Sequence, residues 1–117
     1  MQYLLLIYDD EKARWNASAA EREKIMTSYK ALVGELVQAG TYLGGNPLEQ
    51  TTTASSVRVR DGKVQITDGP FAETREQLGG YFLIEAPDIA AARAIAARMW
   101  GAENGTIEVR PIAPIPA

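Results

Sequence analysis

Two continuous apolar runs constrain this chain more than any other feature. Tyr3-Leu4-Leu5-Leu6-Ile7-Tyr8 stands near the start, and Tyr81-Phe82-Leu83-Ile84-Glu85-Ala86 follows much later. A strand with one wet face alternates apolar and polar residues; a strand covered on both faces does not. These runs are far shorter than the ~20 apolar residues of a membrane span. Each therefore predicts a central strand of a sheet with both faces dry.

The segments around them read as helices, strands and turns. Asp9 to Trp15 is expected to be a loop. Ser18 precedes Glu21 by three residues, the spacing of a capping box. Ile25, Tyr29, Leu32, Val33, Leu36 and Val37 then recur at helical spacing, and Gly40 suits the left-handed residue that closes a helix. Thr41-Tyr42-Leu43 begins a strand that Gly44-Gly45-Asn46-Pro47 is expected to interrupt with a turn or a bulge, and Leu48 to Thr53 is extended or loop-like. Val57-Arg58-Val59-Arg60 and Lys63-Val64-Gln65-Ile66 flank Asp61-Gly62, the signature of a two-residue hairpin turn. That turn puts Val57, Val59, Val64 and Ile66 on one face, expected to pack, and Arg58, Arg60, Lys63 and Gln65 on a basic, wet face. Pro70 is expected to open a short helical turn that Gly79-Gly80 ends. Asp88 is the expected N-cap of a second helix, with Ile89, Ala92, Ile95, Ala96 and Met99 as its apolar stripe and Gly101 at its end. Thr106 to Arg110 alternates as a strand. Pro111 to Ala117, with three prolines, is an extended tail.

The order predicts a single α+β domain over residues 1–117. Without the hairpin it is βαββαβ, the ferredoxin-like arrangement, with two helices on one sheet face. The apolar residues of the central strands are too many for one covered face. The bare face predicts a homodimer packed sheet to sheet.

Composition excludes several chemistries. With no Cys and no His, no disulfide, thiolate, imidazole triad or His-ligated metal exists in this chain. Twelve basic against fifteen acidic residues, net −3, argues against a nucleic-acid binder. The start carries no basic region before its apolar run, so a cytoplasmic location is expected, with no membrane segment. Gly44-Gly45 lacks the residues of a phosphate loop, and no cofactor motif appears. Asp9, Asp10 and the acids after Asp68 offer only oxygen ligands without EF-hand spacing, so no metal is expected.

Asp68-Gly69-Pro70-Phe71-Ala72-Glu73-Thr74-Arg75-Glu76-Gln77-Leu78-Gly79-Gly80-Tyr81-Phe82 resembles the signature of the DGPF group of YCII-related proteins. The opening strand, the Val57 to Lys63 run and Gly105 to Pro111 are similar to that group as well. The resemblance implies a ferredoxin-like fold that dimerises into an α/β barrel. It implies a regulatory or accessory setting linked to extracytoplasmic-function sigma factors. The His–Asp pair suggested as catalytic in some YCII-like members does not carry over, because this chain has no histidine.

Candidate site residues follow. Asp68, Glu73 and Glu76 would converge on a pocket, with Asp68 or Glu73 as base and Thr74 adding a hydroxyl. In the structural alternative, Asp68 caps a turn by accepting from Phe71 or Ala72, Glu73 faces a helix dipole, and Phe71 plugs the core. Tyr8 or Tyr81 would donate a hydrogen bond, and Arg58 or Arg110 would clamp an anion. Tyr3, Tyr8, Trp15, Tyr29, Tyr42, Tyr81 and Phe82 could line a cleft between sheet and helices; the alternatives are core or dimer contact for these aromatics and a solvated face for the basic residues. Tyr8, Asp9 and Trp15 stand out because a central strand meets a loop there. Three functions remain open: a dimeric small-ligand-binding or accessory regulatory domain, a cofactor-independent isomerase or lyase acting on a small anion, and a pure protein-interaction module.

Overall fold

A computed structural model describes residues 1–115. Strand β1 spans Gln2–Asp9, followed by helices α1 (Glu11–Trp15) and α2 (Ala19–Gln38), then strand β2 (Tyr42–Pro47). A 3-10 turn at Thr51–Thr53 leads into strands β3 (Ser55–Arg60) and β4 (Lys63–Asp68). Strand β5 (Gln77–Glu85), helices α3 (Ile89–Ala96) and α4 (Trp100–Asn104), and strand β6 (Gly105–Pro111) complete the described fold. The main sheet has the order β2-β5-β1-β6 with every pairing antiparallel. This α+β arrangement is consistent with a ferredoxin-like fold. The two apolar runs are its central strands, β1 and β5.

Strand periodicity explains why both runs are apolar throughout. Successive side chains point to opposite faces. Tyr3 and Leu5 of β1 and Phe82 and Ile84 of β5 are buried under α2 and α3 with Leu32, Leu36, Ala92, Ala96 and Met99. Leu4, Leu6, Tyr81 and Leu83 point the other way and are half-buried, with Leu4 opposite Leu83 and Leu6 opposite Tyr81. No helix covers that second face among the described residues. Small residues on α3 let it lie close to the sheet, as Ala92 shows by its complete burial.

Helix ends follow local chemistry. The Ser18 hydroxyl accepts from the Glu21 amide at 3.1 Å, and Asp88 accepts from the Ala91 amide at 2.8 Å. At the far end of α2, the Gly40 amide donates to Val37 and the Thr41 amide to Leu36, with Gly40 at φ +72. This pair of bonds closes a Schellman motif.

Several details differ from the sequence expectations or decide between them. Residues 11–15 form helix α1 instead of a loop, because the Asp10 carboxylate accepts from the Ala13 amide and caps it. At Gly44-Gly45-Asn46-Pro47 the bulge reading holds and the turn reading does not: β2 runs on through them with a register shift between Tyr42 and Gly44, and Pro47 is tolerated on an edge strand. Residues 69–76 are bends without a helical turn, and β5 continues through Gly79-Gly80 with a bulge opposite Ile7 and Tyr8. The second helix stops at Ala96, and Gly101 lies inside the short α4. Pro111 belongs to β6, opposite Tyr3, while Pro116 and Ala117 of the expected tail lie outside the described residues.

The hairpin has the expected register, Val57 opposite Ile66 and Val59 opposite Val64, around Asp61 and Gly62 with positive φ. It forms a two-stranded sheet of its own. Its apolar face does not pack on the domain: all four side chains are exposed. Phe71 does not plug the core either. It is 76% exposed, with the Arg58 guanidinium 4.9 Å above its ring.

Candidate functional site

The apolar stripe of α2 serves two purposes along its length. Leu32 and Leu36 pack on the sheet, while Ile25, Met26, Tyr29 and Val33 line a cleft of about 770 Å³ between α2, α1 and the sheet. Phe82 lies along the sheet side of the cleft, with Trp15 and Trp100 among its other aromatics. The Phe82 ring meets Tyr29 edge-on at 6.0 Å and Tyr42 at 5.4 Å, which locks it in place.

One charged pair stands inside this lining, apart from the exposed Arg22, Glu23, Lys30 and Glu49. Asp9 is the last residue of β1 and is only 3% exposed. Its Oδ2 accepts from Arg14 Nε at 2.6 Å, an ion pair carried by the first turn beyond the strand. Its Oδ1 is shielded from solvent and has no hydrogen-bond partner. The indole Nε1 of Trp15 is likewise buried and without an acceptor. The Arg14 guanidinium lies 5.8 Å from the Trp15 ring, so acid, base and indole form one cluster. Gly79 makes room for it. A Cβ there would stand 2.8 Å from Arg14 Nη2 and 3.3 Å from Asp9 Oδ1.

Tyr29 joins the cluster from α2. Its hydroxyl oxygen accepts from the Gly101 amide at 3.0 Å, leaving its own proton for another acceptor. Burial pushes the Tyr29 pKa above its ordinary value, and the nearby Asp9 charge adds to that. The Gly101 bond and the Arg14 charge oppose the shift without cancelling it. The cleft thus holds a carboxylate acceptor, an indole donor and a protonated phenol among aromatic and aliphatic walls.

A second carboxylate anchors α1 beneath this cluster. Glu11 is buried and accepts from the Thr51 amide at 3.1 Å and from the Thr51 hydroxyl, while its amide donates to Gln77 Oε1 at 3.1 Å. Its oxygens are engaged, so it holds structure and is not open to a ligand.

The residues singled out in the sequence scatter. Asp9 and Trp15 line the cleft. Tyr8 lies on the opposite sheet face and donates to Glu108 at 3.4 Å; Arg110 is paired with the same carboxylate. Tyr81 also faces away and accepts from Asn46 Nδ2 at 3.1 Å. Asp68 ends β4, exposed and opposite Ser55, while Arg58 stacks on Phe71 at the hairpin. Glu73 and Thr74 are exposed, Thr74 donating to the Glu76 carbonyl, and Glu76 accepts from Thr106 at 2.8 Å. Neither Asp68, Glu73 nor Glu76 lines the cleft. Of the aromatics that could line a cleft, Trp15, Tyr29 and Phe82 do so, whereas Arg14 was missed. Arg14 could have been found from Asp10, whose capping spacing turns the chain back so that Arg14 meets Asp9. Among the described residues no group of three acidic side chains is placed to hold a metal ion, and no helix is long and apolar enough to cross a membrane.

Comparison with known proteins bears on the whole chain. A family model described as YCII-related domain matches residues 1–116. An uncharacterized protein of Rhizobium meliloti (strain 1021) is 36% identical over 115 residues, covering 97% of this chain and 93% of the relative.

Proposed function

We propose, for a chain that belongs to the YCII-related domain family, that its role is to bind a small molecule in the cleft between α2 and the sheet. The observation that carries this reading is Asp9 Oδ1. Buried polar atoms nearly always have a partner, and one that lacks it loses its hydration without compensation. Here that atom stands beside a roomy cleft with an equally unpartnered indole N–H. Ligand pockets have this composition: apolar walls with a few convergent polar groups.

The same geometry favours one ligand chemistry. Arg14 is already neutralised by Asp9, and Arg58 and Arg110 lie outside the cleft. The other basic residues of the lining, Arg22 and Lys30, are exposed on α2, and the buried Asp9 carboxylate disfavours an anion beside it. A neutral, flat, largely apolar molecule with one N–H or O–H donor and one acceptor matches Asp9 and Trp15 better. A thermal-shift screen across neutral phenols, aromatic amides and small carboxylates tests this. The donor-bearing neutral compounds should raise Tm, and Asp9→Asn and Trp15→Phe should each weaken binding about tenfold, the value of one lost hydrogen bond. Carboxylates alone raising Tm, or shifts indifferent to both substitutions, would remove the reading.

Asp9 and Tyr29 in one cleft favour a second reading, a cofactor-independent isomerase. A carboxylate can take a proton while a phenol hydrogen-bonds the developing oxyanion. Uptake of solvent deuterium into a bound carbonyl compound, followed by NMR and lost in Asp9→Asn, is the expected sign.

The open sheet face suits a homodimer packed sheet to sheet, because Leu4, Leu6 and Leu83 share it with Tyr81. A sigma-factor-associated regulator would need that face as well. Self-association leads because each copy brings the same apolar surface, as a two-fold interface requires. Light scattering should give twice the 12.7 kDa chain mass.

A further inference from the structure

We infer that the β3–β4 hairpin is a docking arm whose apolar face packs on a second copy of this chain. The inference rests on the dimer proposed above and adds a contact outside the main sheet.

Val57, Val59, Val64 and Ile66 are between 58% and 68% exposed. Their pairing places them side by side, so they form one patch and not scattered residues. Scattered exposed aliphatics need no explanation, but a contiguous patch marks an interface. The hairpin shares no ladder with the main sheet, and an isolated two-stranded hairpin is marginal in water. Its order therefore calls for a covering surface.

The size of the uncovered surface identifies the occupant. The chain exposes 8167 Å², whereas a folded monomer of 12.7 kDa is expected to expose roughly 6200 Å². The excess, roughly 1900 Å², is more than twice the ~800 Å² each partner buries in a standard interface. The radius of gyration is 16.2 Å against about 13.4 Å for a compact chain of this length. The molecule is a slab of 47 × 47 × 19 Å. That much surface suits a permanent association more than a passing contact. A second copy supplies a matching surface, because it leaves the same apolar patch and the same area uncovered, as a two-fold contact requires.

Two measurements test the arm separately from the sheet-to-sheet dimer. Val57→Asp combined with Ile66→Asp alters side chains already wet in one copy, so the fold should persist by circular dichroism while the mass falls to that of one chain. The chain has no cysteine, so Val64→Cys accepts a single spin label. Mixed with unlabelled ¹⁵N protein, it should broaden amide signals of the partner copy. A double variant that folds and stays dimeric, or a dimer without such intermolecular broadening, overturns the arm and leaves the sheet contact standing. Should the double variant unfold, the broadening alone decides. A wild-type chain that stays monomeric overturns both.

Discussion

Asp9 closes β1 with one carboxylate oxygen held by Arg14 and the other without a donor. Removing one partner of a largely buried ion pair costs more than the pair contributes, because the remaining charge loses its compensation. Arg14→Leu should therefore lower stability by about 3 kcal/mol in urea unfolding. Lys24→Leu, exposed on α2 and outside the cleft, should stay within about 0.5 kcal/mol. Tyr29 sets a pH dependence of the opposite kind. Its pKa in the folded chain is above the ordinary 10.0, so the native state holds the proton longer than the unfolded one. The stability from this group is complete below pH 10 and is lost as pH rises through the folded pKa. Tyr29→Phe should flatten that alkaline loss relative to wild type in denaturant titrations between pH 9 and about 11.5.

Among the elements, α1 has the greatest effect on the cleft for its size. Its five residues are too few to be helical alone, so its form depends on the Asp10 cap and on Glu11 bound to Thr51. Asp10→Ala should cost about 1 kcal/mol and also weaken any ligand in the cleft, since Arg14 and Trp15 ride on this turn. Asp88→Ala removes an equivalent cap from α3, away from the cleft, and should cost a similar ~1 kcal/mol without changing ligand affinity. Urea unfolding and ligand-induced Tm shifts on both variants separate the two effects. The bulge of β5 belongs to the same design: it lets the strand carry Gly79 past the Asp9–Arg14 pair where a side chain would collide.

At the scale of the molecule, the unusual quantity is the surface left uncovered. A chain whose stability includes association should melt at a temperature that depends on its concentration. For a dimer of this chain length, Tm should fall by about 3 °C on tenfold dilution, read by calorimetry. Leu83→Lys, on the open face, should abolish that dependence.

Periodicity and composition were enough for the α+β class, the two central strands, both principal helices with their caps and the register of the hairpin. These depend on which residues recur at which spacing, and that information is local. The same holds for the chemistry excluded by the absence of cysteine and histidine. The cleft was legible in Asp9 and Trp15, from their place where a central strand ends, and in Tyr29 and Phe82 only as two of seven aromatics that could line one. Arg14 shares with Trp15 a segment that reads as a loop, Tyr29 comes from α2, and only packing brings both onto Asp9. Nor does local spacing reveal that the DGPF segment stays at the surface, where Asp68, Glu73 and Phe71 are exposed. An apolar side chain carries a preference for burial but no direction. Which neighbour satisfies it, and which of its polar neighbours remain without a partner, is decided when the sheet, α1 and α2 close on one another.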